Sequence, residues 1–255
     1  MTSFALKLAA IIAMTLDHVA SFIGQHGLMN LFPLDTHASY VLMQWLHGIG
    51  RMAFPLFVFL LVEGTRKTRS MPRYIGRLAL FALISEPFFY FAHWQYSQTL
   101  SDFFRHVGRL SFGNVFFTLT LGALMIYAFQ KMEGKKGKYT LLWEFLLLGA
   151  AAFVAQYIGC DYGMYGVALI GLMYLARTKG RQCVVILVWS VIVYVLTQLY
   201  NPLWSGLRQC LFASASCLLI WLYNGKRGRP MKWSFYVYYP AHLLVLTLIH
   251  YAAAG

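Results

Sequence analysis

The sequence predicts an all-α, polytopic transmembrane helix bundle of about nine spans, and three observations predict it. Hydrophobic residues make up 60% of the chain and charged residues 11%, whereas a soluble domain carries about 25% charge. The apolar residues join into runs of about 20, the helix length that a bilayer core demands. The basic residues are confined to short stretches between those runs, as in loops on the cytoplasmic side of a membrane. An unusually apolar soluble core has no need of runs that long. A net charge of +13 would point to nucleic acid in a soluble protein. Here topology accounts for it, so membrane lipids are expected as surroundings and no nucleic acid as partner.

The spans run roughly over residues 4–25, 41–63, 74–95, 112–130, 140–159, 162–177, 182–200, 204–223 and 234–252. The first is long, is interrupted by Asp17 and His18, and lacks a small-residue cleavage site behind a short core. It therefore reads as a retained helix and not a cleaved signal. In the second, "GRMAFPLFVFLLVEG" (residues 50–64) carries Pro55, which removes an internal hydrogen bond and predicts a kink. "SEPFFY" (85–90) repeats the carboxylate-then-proline pattern in the third. Only "GCDYG" divides the fifth from the sixth. "FYVYYPAHLLVL" (235–246) makes the last span aromatic and proline-broken. Neither an internal repeat nor a soluble domain is visible, so residues 1–255 read as a single integral-membrane domain. Cys160, Cys183, Cys210 and Cys217 have no metal or redox spacing and read as packing residues; no metal is expected.

Sidedness follows from the basic residues. Of the 21 Lys and Arg, 17 fall at Lys7 or in the even-numbered loops, around residues 66–77, 131–138, 177–181 and 226–232. The other side holds Arg105, Arg109 and Arg208, and Arg51 lies within a span. By the positive-inside rule the N-terminus is cytoplasmic and the C-terminus outside, in what would be a bacterial inner membrane.

Ionisable groups at membrane depth are costly, by at least about 2.5 kcal/mol at a helix centre, and face a cavity or a partner. At about 1.5 Å per residue His18 lies roughly 21 Å from the cytoplasmic end of its span. Arg51 falls near the middle of the membrane and Glu86 just beyond it. Asn114 and Asp161 fall at outer span ends, and Glu63 and His242 lower, toward the cytoplasm. Asp17 and His18 are adjacent, so on a helix they point about 100° apart and cannot pair with each other. Arg51 is the natural counter-ion for Asp17 or Glu86, and His47 lies one turn away on the same face. A charge-paired scaffold joining helices explains Arg51 with its acid as well as catalysis does. His18 favours chemistry, because a neutral imidazole suits proton transfer near neutral pH.

Taken in order, "LDH" in the first span, "GRMAFPLFVFLLVEG", "GNVFF" opening the fourth, "DYGMYG" (161–166) and the late "FYVYYPAHLLVL" resemble the TraX family. That family is associated with N-terminal acetylation of conjugative pilin. It is similar to a broader group of integral-membrane acyltransferases that includes lysosomal heparan glucosaminide N-acetyltransferase. The resemblance covers almost the whole chain. It implies acetyl-coenzyme A as donor and an amine as acceptor, on a pilin-like peptide or an amino sugar. It carries the family's intramembrane histidine to His18, the neighbouring acid to Asp17, the Gly-Arg pair to Gly50 and Arg51, and the late histidine to His242.

The mechanism expected from this has His18 as general base. Asp17 or Glu86 orients the imidazole, and Arg51 or Asn114 stabilises the oxyanion. Arg66, Arg69, Arg73 and Arg77 meet the coenzyme phosphates at the inner face, and the pantetheine arm rises past His242 and Tyr239. A covalent acetyl-His18 is the variant route. The rival class is a proton-coupled transporter with Asp17, His18, Arg51 and Glu86 as a relay, although no repeated halves are visible. A non-catalytic scaffold leaves the ionisable cluster unexplained. The topology is checked by cysteine labelling from each face: positions near Lys136 and Arg227 should react only from inside, and positions near Thr99 and Asn201 only from outside. Finding residues 136 and 227 on opposite faces overturns the span count.

Overall fold

In a bilayer the backbone must satisfy its own hydrogen bonds, which leaves helices or closed barrels. The computed structural model describes residues 1–93, 112–133, 137, 139–196, 203–230 and 233–254, and these form helices and connecting turns, with no strand among them. The helical segments are α1 (Ser3–Leu31) and α2 (Thr36–Lys67), α3 (Met71–His93), α4 (Val115–Glu133) and α5 (Thr140–Tyr157). They continue with α6 (Gly163–Leu175), α7 (179–196), α8 (Leu203–Trp221) and α9 (Ser234–Ala254).

Each segment overlaps one expected span, and α1 to α5 are long and apolar enough to cross a membrane. The chain is a membrane protein whose described residues form helices and turns alone. The expected sixth span is helical over only 13 residues, about 20 Å of rise against a core of about 30 Å. Left-handed backbone at Tyr162 and Gly163 delays its start, and the chain turns extended at Ala176. Arg105, Arg109, Lys135, Lys136 and Lys138 lie outside the described residues.

Local sequence sets the breaks. Thr2 caps α1 by accepting from the Ala5 N–H at 3.3 Å, and Asp35 caps α2 by accepting from Ala38 at 2.6 Å. The kink expected at Pro55 falls at Arg51–Met52, where two tightened turns interrupt α2. A proline ring clashes with the carbonyl four residues earlier, which is that of Arg51. Pro55 itself sits in the first turn of the resumed helix (Ala53–Lys67), where its missing N–H costs nothing. In α1, a π-helical turn over Val19–Ile23 follows His18, and Gly24 leaves it with φ +68°.

The chain divides into two compact units, one within residues 1–57, 87–108 and 186–255, the other within 58–86 and 109–185. In the first, α1 packs on the first half of α2, α8 packs on that same half, and α9 lies along the π turn and the helix beyond it. The Ser3 and Phe4 N–H groups donate to the carbonyls of Lys226 and Arg227 at 2.8 and 3.1 Å, which keeps the start of α1 beside the α8–α9 connection. In the second, α4, α5 and α6 pack against one another.

Small residues permit the tightest approach. A Cβ on Gly206 of α8 would stand 2.2 Å from the Tyr194 carbonyl oxygen in α7, and a backbone atom cannot swing aside. Gly206→Ala should lower stability in detergent by about 1–3 kcal/mol, the usual cost of overpacking. Gly76→Ala in α3, where nothing lies within 4 Å, should be neutral or stabilising. Equal melting temperatures for the two variants would refute this packing.

Candidate functional site

Because Asp17 and His18 point to different sides of α1, each meets a different neighbour. Asp17 faces α2. Its Oδ1 lies 3.0 Å from His47 Nδ1 and 3.4 Å from Arg51 Nη2. His47 and Arg51 are four residues apart and share a face. They stand at the end of the first half of α2, where the helix dipole favours positive charge. Gly50 makes room for this contact: a Cβ there would lie 2.3 Å from the Asp17 Cβ.

His18 faces α9. Its Nδ1 lies 2.6 Å from His242 Nε2, and the two rings are almost parallel, at 6°. His242 Nδ1 donates to the Tyr238 carbonyl at 2.9 Å, and the Tyr238 ring stacks on the imidazole with centroids 5.0 Å apart. The Tyr238 hydroxyl is 2.7 Å from Thr15 Oγ1, whose own proton goes to the Ile11 carbonyl at 2.8 Å. Phe22 and Tyr239 set ring edges against His18, at centroid distances of 5.2 and 6.2 Å. His242 and Tyr239 are 6% and 4% exposed, so the pair sits in an apolar setting.

The arrangement differs from expectation in three ways. Asp17 bonds the imidazole of His47, while His18 is held by His242. His242 is level with His18 and not beneath it. The depth estimate counted each helix from its own first residue, but α9 meets α1 so that the ninth residue of one touches the sixteenth of the other. Near its start α9 sets the Phe235 ring against Phe4 and Lys7 of α1, so the two helices do not advance in step from their first residues. Third, Glu86 and Asn114 belong to the second unit, where they build the N-terminus of α4. The Glu86 carboxylate, 4% exposed, accepts from the Gly113 N–H at 2.9 Å, the Asn114 N–H at 3.3 Å and Asn114 Nδ2 at 2.5 Å. Asn114 Nδ2 also donates to Ala82 O at 2.8 Å, and Asn114 Oδ1 caps the helix by accepting from Phe116 at 3.0 Å. Both amide protons of Asn114 are thus engaged in this cap, which leaves no donor for an oxyanion.

The loop arginines divide. Arg66 Nη2 donates to the Tyr174 carbonyl at 2.8 Å, and its guanidinium lies over the Tyr174 ring. Arg77 lies over the Tyr74 ring at 5.8 Å. Arg69 and Arg73 are exposed. Glu63 pairs with Lys67 at 2.7 Å, one turn away on α2. Asp161 sits in the α5–α6 turn, where its carbonyl accepts from Thr118 and its carboxylate from the Tyr162 N–H.

Sequence reasoning set His47 beside Arg51 without pairing it to Asp17, and left Thr15 and Tyr238 out of the site. Helical spacing was the available signal: His47 is four residues before Arg51, Thr15 three before His18 and Tyr238 four before His242.

These features define the class: an all-helical membrane protein with an acid, an arginine and three histidines gathered among apolar helices. Residues 3–250 match the TraX protein family, and the chain belongs to it. It is 31% identical over 254 residues to the probable fimbrial assembly protein FimC, serogroup H1, of Dichelobacter nodosus, covering 96% of this chain and 94% of that protein. No solved structure matches.

Arg51→Met should cost about 3 kcal/mol, the low end for leaving a buried partner charge uncompensated. Adding Asp17→Asn should restore most of it. Thermal unfolding of the single and double variants measures this, and equal losses in the two would remove the ion pair as the cause.

Proposed function

We propose that this protein is a membrane-embedded acetyltransferase of the bacterial inner membrane, with its N-terminus cytoplasmic. It moves an acetyl group from cytoplasmic acetyl-coenzyme A to an amine presented at the outer half of the bilayer. The observation that carries this reading is the set of hydrogen-bonded imidazoles, His18 with His242 and His47 with Asp17. A scaffold needs only the charge balance that Arg51 gives Asp17. Neutral imidazoles add nothing to that balance, but they are suited to taking and returning a proton near neutral pH.

In the reaction His18 removes a proton from the acceptor amine as the nitrogen attacks the thioester carbonyl carbon. A C–N bond forms, the C–S bond breaks, and His18 returns the proton to the departing thiolate. Arg51 is the cation available to the oxyanion. Arg69 and Arg73, exposed around the α2–α3 connection, are the cations most open to coenzyme phosphates. Arg66 and Arg77 are tied to tyrosines and serve chiefly to set that connection. The relative's name, a fimbrial assembly protein, favours the amine of a fimbrial or pilin-like subunit over an amino sugar.

His18→Ala should fold, insert and bind acetyl-coenzyme A, and should lose at least about 10²-fold in transfer to a pilin-like peptide, the low end of a general base's contribution. Transport of a solute by the wild type without consumption of acetyl-coenzyme A would overturn the enzyme reading. Full turnover in His18→Ala would move the base to His47, which the Asp17 carboxylate already orients.

A further inference from the structure

We propose that His242 is the positioning residue of His18: it fixes which ring nitrogen of His18 carries the proton and which carries the lone pair. The argument runs along one chain of hydrogen bonds. A backbone carbonyl only accepts, so the contact of His242 Nδ1 with Tyr238 O at 2.9 Å requires the proton on Nδ1. In the uncharged ring that leaves Nε2 of His242 as an acceptor. His18 Nδ1, 2.6 Å from it, must then be the donor. The lone pair of His18 falls on its Nε2, the nitrogen on the far side of the ring from α9.

The surroundings hold this assignment in place. The carbonyl that sets it lies one turn before His242 on its own helix, so helix geometry fixes the distance. Tyr238 stacks on the His242 ring within 8° of parallel and is anchored through its hydroxyl to Thr15. His18 and His242 are nearly coplanar, which aligns the N–H with the accepting lone pair. When His18 Nε2 gains a proton, the bond from Nδ1 to His242 becomes charge-assisted and strengthens. A carbonyl thus does for this pair, through a second imidazole, what a buried carboxylate does when it holds a histidine base in one tautomer. The value of this to acetyl transfer rests on the reading above; the tautomer itself does not.

The test uses the full chain in detergent, labelled with 15N-histidine, and two-bond 1H–15N correlation spectra, which distinguish the tautomers. Signals lost in His18→Ala identify His18. In the wild type His18 should be protonated at Nδ1 and bare at Nε2. His242→Gln, whose Oε1 replaces the Nε2 acceptor while its amide reaches Tyr238 O, should keep that pattern. His242→Leu should shift His18 toward the Nε2–H form; should it not fold, the wild-type and Gln spectra decide. In activity, His242→Gln should stay within a few-fold of wild type, and His242→Leu should lose about tenfold or more, since a wrong tautomer is costly to a histidine base. His18 protonated at Nε2 in the wild type, or unchanged in folded His242→Leu, overturns the proposal. The expected tautomers in a protein that never consumes acetyl-coenzyme A would leave this assignment standing and remove the enzyme reading.

Discussion

A carboxylate inside an apolar helix costs kilocalories unless other helices supply its partners, and Asp17 turns that cost into a constraint on the whole first unit. Its oxygen takes both His47 and Arg51, which ties α1 to the first half of α2. Its side chain fits only because Gly50 has none. With Asp17 turned to α2, the next residue has no choice but to face another way, and His18 meets α9. The break in α2 belongs to the same constraint. It puts Arg51 at the end of a helical half, where the carbonyl ends of the backbone add to the attraction for its charge.

The second unit treats its buried acid differently. Glu86 is surrounded by N–H donors that never give up their protons, two from the backbone and one from an amide. Such a shell stabilises a permanent charge and anchors the start of α4, much as an anion does at any helix N-terminus. Asp17 is bonded instead to the imidazole of His47 and paired with Arg51. The contrast separates a carboxylate held by amide donors of one helix start from one shared between two side chains of a neighbouring helix.

Much of this was legible in the sequence because the bilayer imposes a length and a composition. Helix order and the kink near Pro55 follow from run length and from proline sterics. The opposition of Asp17 and His18 follows from helical geometry alone, as does the common face of His47 and Arg51. What could not be read was which helix neighbours which. Glu86 and Arg51 both carry charge at depth, so they looked like partners, yet the Glu86 carboxylate accepts from Gly113 and Asn114, a pairing that no periodicity reveals. His242 was misplaced because depth was counted along each helix separately, and the stagger of α9 against α1 is a tertiary property. The short α6 escaped because an apolar run does not announce where left-handed residues will start it.

The π turn after His18 has a consequence for how the first helix can vary. A π turn closes its hydrogen bonds one residue later than an α turn, so Val19–Ile23 holds one residue more than the regular helix needs. The helix on either side therefore keeps its own phase. Residues 24–31 can be retuned to whatever they face without rotating residues 3–18, and His18 stays aimed at His242 while the far end of the same helix changes. One helix thus works as two separately adjustable parts, one that aims the imidazole and one that packs on α2 and α9 in its own register.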